Sequence, residues 1–178
     1  MRWIHPQHGM ISPAKFIAVA EETGIASKIT QQIMKQTQEC IRAFPGDPPA
    51  GMVLSFNVCS GDFRTTALLE SCRNLSRNLA DIAPLIVLEI TERHINEDVN
   101  SLEWLVHALK HEGVQFALDD FGTGNSNLDL IDIFRPDFIK IDKNFVQRST
   151  SEKACALLIN NIIDVARNFN CLTVAEGI

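Results

Sequence analysis

Residues 138–142 read Phe138-Ile139-Lys140-Ile141-Asp142, and this stretch decides between the two parallel architectures open to the chain. Its length and its apolar–polar alternation mark a β-strand, with Ile139 and Ile141 on one face and Lys140 and Asp142 on the other. An open doubly wound sheet lies under helices on both faces, where a buried lysine is costly. In a closed parallel barrel the second face is the interior, and active sites form at its C-terminal rim. The strand points to a barrel.

Four more apolar runs of strand length end in a polar residue: Met52–Asn57, Leu85–Glu89, Val114–Asp119 and Leu172–Glu176. Val53, Ser55 and Asn57 oppose Leu54 and Phe56; Leu85, Val87 and Glu89 oppose Ile86 and Leu88; Gln115, Ala117 and Asp119 oppose Phe116 and Leu118. Helical stripes fill the intervals, running from Ile25 to Cys40, Phe63 to Leu79, Val99 to Leu109 and Cys155 to Phe169. A further short helix is expected over Pro13–Glu22, with Ser12 as N-cap and Pro13 in its first turn. Turn residues separate the elements, among them Pro45-Gly46-Asp47-Pro48-Pro49, Gly113 and Gly122 with Gly124. Strands and helices alternating every ~30 residues read as an α/β fold with a parallel sheet. The expectation is a (β/α)8 barrel of the TIM type, in a single domain over residues 1–178.

Composition narrows the class of protein. The chain has 178 residues, 46% apolar and 21% charged, with no apolar run near the ~18 residues of a membrane span. This excludes a disordered tail, a fibrous repeat and membrane insertion by the domain. A net charge of −6 argues against a nucleic-acid polymer as partner, so any phosphate chemistry is local or assisted by bound cations. Met1-Arg2-Trp3-Ile4-His5-Pro6 has no apolar core of a signal peptide. Five widely spaced cysteines, an odd number without a Cys-x-x-Cys pair, read as reduced, buried thiols in a cytoplasmic domain. The parent protein is left open to membrane anchoring.

The strands share one feature at their C-terminal ends: Asn57, Glu89, Asp119-Asp120, Lys140 with Asp142, and Glu176. Apart from the lysine these are oxygen donors, with no His or Cys among them. Such sets suit hard cations, Mg²⁺ or Mn²⁺, rather than zinc or copper. A pair of cations would serve in-line attack on a phosphodiester. Lys140 would then orient or deprotonate the attacking water, or neutralise transition-state charge. Ordinary structural roles stand beside these: Asn57 as a turn residue, Asp119-Asp120 as turn chemistry, Glu89 as an ion-pair partner of Lys140. His5, His8, His107 and His111 read as surface or packing residues. The coincidence of polar residues at five strand ends favours a site.

The same segments, in order, strongly resemble the EAL family of cyclic di-GMP phosphodiesterases. They are Arg2-Trp3-Ile4-His5-Pro6, Ile11-Ser12-Pro13 with Phe16-Ile17, Ala20-Glu21, Ser55-Phe56-Asn57-Val58 and Leu88-Glu89-Ile90-Thr91-Glu92. Asp119-Asp120-Phe121-Gly122-Thr123-Gly124, Lys140-Ile141-Asp142 with Phe145-Val146, and Ala175-Glu176-Gly177-Ile178 complete the set. The resemblance implies a barrel binding two Mg²⁺ or Mn²⁺ ions, with Ca²⁺ as an inhibitory occupant, that hydrolyses cyclic di-GMP to linear pGpG. It implies Asn57, Glu89, Asp119 and Asp120 as metal ligands, Lys140 and Glu176 as catalytic groups, and Arg2 and Asp142 as substrate contacts. Glu92 would steady the loop of Phe121, Gly122, Thr123 and Gly124, which in this family links homodimerisation to activity.

The chain departs from the family pattern in three places. The glutamate of the Glu-x-Leu tripeptide would precede Arg2 by four residues, and the chain stops one position before the second glutamate that follows Ala-Glu-Gly. Asn125 stands where an aromatic is common. The expectation is a barrel domain lacking its first strand and its C-terminal strand region, weak or inactive when tested alone. The alternative function is a catalytically inactive relative that binds cyclic di-GMP or a protein partner as a regulatory module.

Overall fold

A computed structural model describes residues 3–91, 99–122 and 128–178. All five anticipated segments are strands, and they lie side by side in chain order. Two short strands come first, β1 (Trp3–His5) and β2 (Gly9–Ile11), followed by helices α1 (Pro13–Glu22) and α2 (Ala26–Arg42). Then come β3 (Val53–Val58), a 3₁₀ turn (Ser60–Arg64), α3 (Ala67–Asn78), β4 (Leu85–Thr91), α4 (Val99–His111) and β5 (Gln115–Phe121). The chain continues through α5 (Leu128–Phe134), β6 (Phe138–Ile141), α6 (Lys143–Arg148), α7 (Lys153–Asn168) and β7 (Leu172–Ala175).

Strands β3 to β7 form one five-stranded sheet in the order β3-β4-β5-β6-β7, every neighbouring pair parallel. A doubly wound sheet reverses its strand order at a switch point. Here the order never reverses, so right-handed crossovers lay the helices along one face only. This is the winding of a TIM-type barrel, and the described residues supply five strands of it.

The helix-facing side of the sheet is the core. Phe56, Ile86, Leu88, Ile90, Phe116, Leu118, Ile139 and Ile141 are buried there. They meet the stripes Leu68, Leu69, Cys72 and Leu75 of α3 and Leu102, Leu105, Val106 and Leu109 of α4. Three- and four-residue spacing places each stripe on a single helix face. The ring of Phe134 sits 5.5 Å from those of Phe63 and Phe116, tying α5 to β5 and to the turn after β3. The second face is more open: Val53, Ser55 and Asn57 are exposed, and Glu89, Asp119 and Lys140 half-buried.

Pro13–Glu22 is helical, as anticipated, but the Ser12 hydroxyl does not cap it; the Ser12 carbonyl accepts from Lys15 N at 3.0 Å instead. Gly113, at φ 79°, ends α4 in the left-handed conformation that a glycine adopts without strain. The β1–β2 hairpin and the short helices α5 and α6 were not anticipated. All five cysteines are free, but only Cys72, Cys155 and Cys171 are buried; Cys40 is exposed and Cys59 half-buried. Among the described residues no helix is long and apolar enough to cross a membrane.

Candidate functional site

Lys140 is the hub of the second face. Its Nζ lies 2.8 Å from Glu89 Oε2, 3.1 Å from Asp119 Oδ1 and 2.7 Å from Glu176 Oε1. The three carboxylates come from β4, β5 and the residue following β7, so one ammonium clasps groups spread over most of the sheet. Lys140, Glu89 and Asp119 are each 14% exposed and Glu176 33%. Burial pulls the Lys140 pKa down, but hydrogen bonds to Glu176, Glu89 and Asp119 outweigh it and the pKa is raised. Burial raises the Asp119 pKa despite the opposing pull of Lys140, with Glu176 and Glu89 adding to the rise.

Successive residues of a regular strand point to opposite faces, so Asp119 and Asp120 would ordinarily part. A β-bulge prevents this. Leu118 pairs with Ile139, and the next pair is Phe121 with Ile141, so β5 carries one residue more than β6 between them. Asp120 takes up the extra length at φ 54°, the left-handed region that Asp tolerates better than most residues. Its N–H donates to Asp119 Oδ1 at 2.9 Å. One carboxylate oxygen from each of Asp119, Asp120 and Glu176 then lies within 4.8 Å of the others, the only group of three His, Cys, Asp or Glu side chains so gathered among the described residues.

Glu176 owes its position to its neighbour. The Glu176 N–H donates to Ile141 O at 3.2 Å, continuing the β6–β7 ladder past the strand end. Gly177 follows at φ 74°, and a Cβ there would stand 2.6 Å from Lys143 Cβ. Gly177→Ala is therefore expected to cost about 1–3 kcal/mol through backbone strain and steric overlap. It should also draw Glu176 away from Lys140. Urea unfolding checks the first effect; an unchanged midpoint would contradict it.

Asn57 stands in register with Glu89, exposed at the C-terminal end of β3. Asp142 is buried and caps α6, its Oδ1 accepting from Asn144 N at 2.9 Å and Asn144 Nδ2 at 2.8 Å. Phe121 is buried, and Gly122, at φ 91°, packs toward Ile162, Phe145 and Leu158. Arg2, Glu92, Thr123 and Gly124 lie outside the described residues. The Glu89–Lys140 ion pair set out as a plain alternative is present, as one arm of the clasp. Sequence reasoning missed Ser55, whose hydroxyl donates to Glu89 Oε1. The available signal was its parity with Asn57. A groove of about 590 Å³ lined by Arg73, Trp104 and His107 lies elsewhere, between α3 and α4.

A parallel β/α sheet of the TIM-barrel type with acidic residues gathered at its strand ends defines the class of protein. The EAL domain family matches residues 1–178, and the chain belongs to that family. It is 35% identical over 178 residues to the cyclic di-GMP phosphodiesterase PdeL of Escherichia coli K12, covering 100% of this chain and 49% of PdeL. It is 31% identical to the bifunctional diguanylate cyclase/cyclic di-GMP phosphodiesterase MucR of Pseudomonas aeruginosa, covering 100% of this chain and 26% of MucR. The chain thus spans about half, or less, of the length of these curated relatives. The structure of the PaMucR phosphodiesterase in complex with c-di-GMP superposes with a TM-score of 0.74 at 28% identity, over 99% of this chain and 72% of that one. The c-di-GMP-bound FimX EAL domain of Pseudomonas aeruginosa reaches 0.79 at 21% identity, over 98% and 69%, a likeness of fold alone.

Proposed function

We propose that this domain hydrolyses cyclic di-GMP to linear pGpG, using two Mg²⁺ or Mn²⁺ ions. The observation that supports this most is the convergence of Asp119, Asp120 and Glu176 within 4.8 Å beside Lys140, in a member of a family with named cyclic di-GMP phosphodiesterases. The donor set fits a hard cation: it is all oxygen, it is anionic, and among the described residues no His or Cys joins it. Asn57, Glu89, Asp119 and Asp120 would hold the cations, with Glu176 supporting one of them or its water. Bound there, divalent cations supply Lewis-acid polarisation of the phosphoryl oxygen and a more acidic water.

The chain's own groups do the rest. Lys140, placed beside Glu89, Asp119 and Glu176, would orient or deprotonate the attacking water or offset charge on the transition state. Arg2 would contact a substrate phosphate and Asp142 would lie nearby on the substrate, while Glu92 would steady the loop of residues 121–124 and so link homodimerisation to activity. Ca²⁺ would occupy the site without supporting turnover, because its looser coordination holds water less rigidly. The reaction belongs in the cytoplasm, where the dinucleotide messenger acts.

The test is chromatographic detection of pGpG from cyclic di-GMP by the purified full-length protein. The expected result is product with Mg²⁺ or Mn²⁺ and none with Ca²⁺ or a chelator. Retention of cyclic di-GMP without turnover under every ion would replace this reading with that of a binding module.

A further inference from the structure

We infer that Ser55 is a positioning residue for Glu89, fixing how that carboxylate is presented to a divalent cation. The inference rests on the reading of Glu89 as a cation ligand proposed above. Ser55 and Glu89 lie on adjacent strands: Ser55 registers with Val87 of β4, and Glu89 stands two residues on, opposite Asn57. Equal parity places hydroxyl and carboxylate on the same face of the sheet. The hydroxyl donates to Glu89 Oε1, while Lys140 Nζ donates to Oε2 at 2.8 Å. Both oxygens of one long, rotamer-rich side chain are thereby held by donors from β3, next to it, and from β6, beyond β5 on the other side.

The two donors differ in what a cation does to them. Lys140 carries a positive charge, reaches the site on a flexible stem and is shared with Asp119 and Glu176. A divalent cation competes with that ammonium for the same oxygens. The Ser55 hydroxyl is neutral, and it sits on a short side chain in the middle of β3, paired along its length with β4. It retains its hold on Oε1 when Lys140 yields, and Oε2 remains the oxygen on offer. Partners of this kind to a ligating carboxylate matter by roughly 10–100-fold in metal affinity. A serine that merely occupies an exposed strand position would matter to none of this.

The experiment is a Mn²⁺ titration of the purified full-length protein, following free Mn²⁺ by electron paramagnetic resonance. The parent protein is compared with Ser55→Ala, Ser55→Thr and Ser55→Val, and thermal unfolding of each is recorded without metal. S55A should weaken Mn²⁺ binding roughly 10–100-fold with little change in unfolding. S55T, which keeps the hydroxyl on a β-favouring side chain, should restore most of the affinity, and S55V, similar in shape without the hydroxyl, should not. Parental affinity in S55A, or equal affinities for S55T and S55V, would overturn the role of Ser55 and leave the metal reading standing. No Mn²⁺ binding by the parent protein would overturn both.

Discussion

Lys140→Met is expected to lower turnover by roughly two to three orders of magnitude and to destabilise the metal-free protein. Loss of a charge-stabilising group of this kind lowers rates on the order of 10²–10³-fold. The effect on folding follows from the clasp. Without its ammonium, Glu89, Asp119 and Glu176 face one another with no counter-charge. Removing one partner from a buried ion pair costs about 3–5 kcal/mol; with Glu176 a third exposed, about 3 kcal/mol is the expected loss. A divalent cation then replaces the missing positive charge. A ligand held at a hundred times its Kd contributes about 2.7 kcal/mol, so Mg²⁺ or Mn²⁺ should recover most of the stability and none of the activity. Urea unfolding with and without Mg²⁺ checks this. Equal unfolding midpoints for parent and variant in chelator would show that the clasp does not hold the sheet together.

Asp120→Asn should lower catalysis while leaving stability nearly unchanged. The left-handed backbone at Asp120, φ 54°, is tolerated by Asn as well as by Asp. The substitution also removes one negative charge from the cluster with Asp119 and Glu176. Folding stability should stay within about 1 kcal/mol of the parent, while kcat falls on the order of 10²–10³-fold. Steady-state kinetics beside urea unfolding measures both quantities. An active D120N protein would remove Asp120 from the ligand set, whatever its stability.

The parallel sheet was legible because five short apolar runs alternate with helical stripes, and because Lys140 and Glu89 interrupt apolar runs on one face only. The long helices were legible from stripes such as Leu102, Leu105, Val106 and Leu109. Three-residue strands such as Trp3–His5 are too short to show a period, and their pairing depends on the turn that brings Trp3 opposite Ile11. In α5, five of the seven residues of Leu128-Asp129-Leu130-Ile131-Asp132-Ile133-Phe134 are apolar, which fits a strand as well as a helix. The site shows the same division. Alternation alone sends Asp119 and Asp120 to opposite faces, and only the register against β6 reveals the bulge that reunites them. Ser55 required the register of β3 on β4, which is a property of two strands and is written in neither.

The central claim is that the ends of β3 to β7 build one all-oxygen cation centre. Its most direct measurement is the anomalous scattering of Mn²⁺ in crystals of the protein grown with that ion. The account predicts Mn²⁺ density among the carboxylates of Glu89, Asp119 and Asp120, with the Lys140 ammonium moved off at least one of them. Manganese absent from these strand ends, or held instead by His or Cys side chains elsewhere, would contradict it.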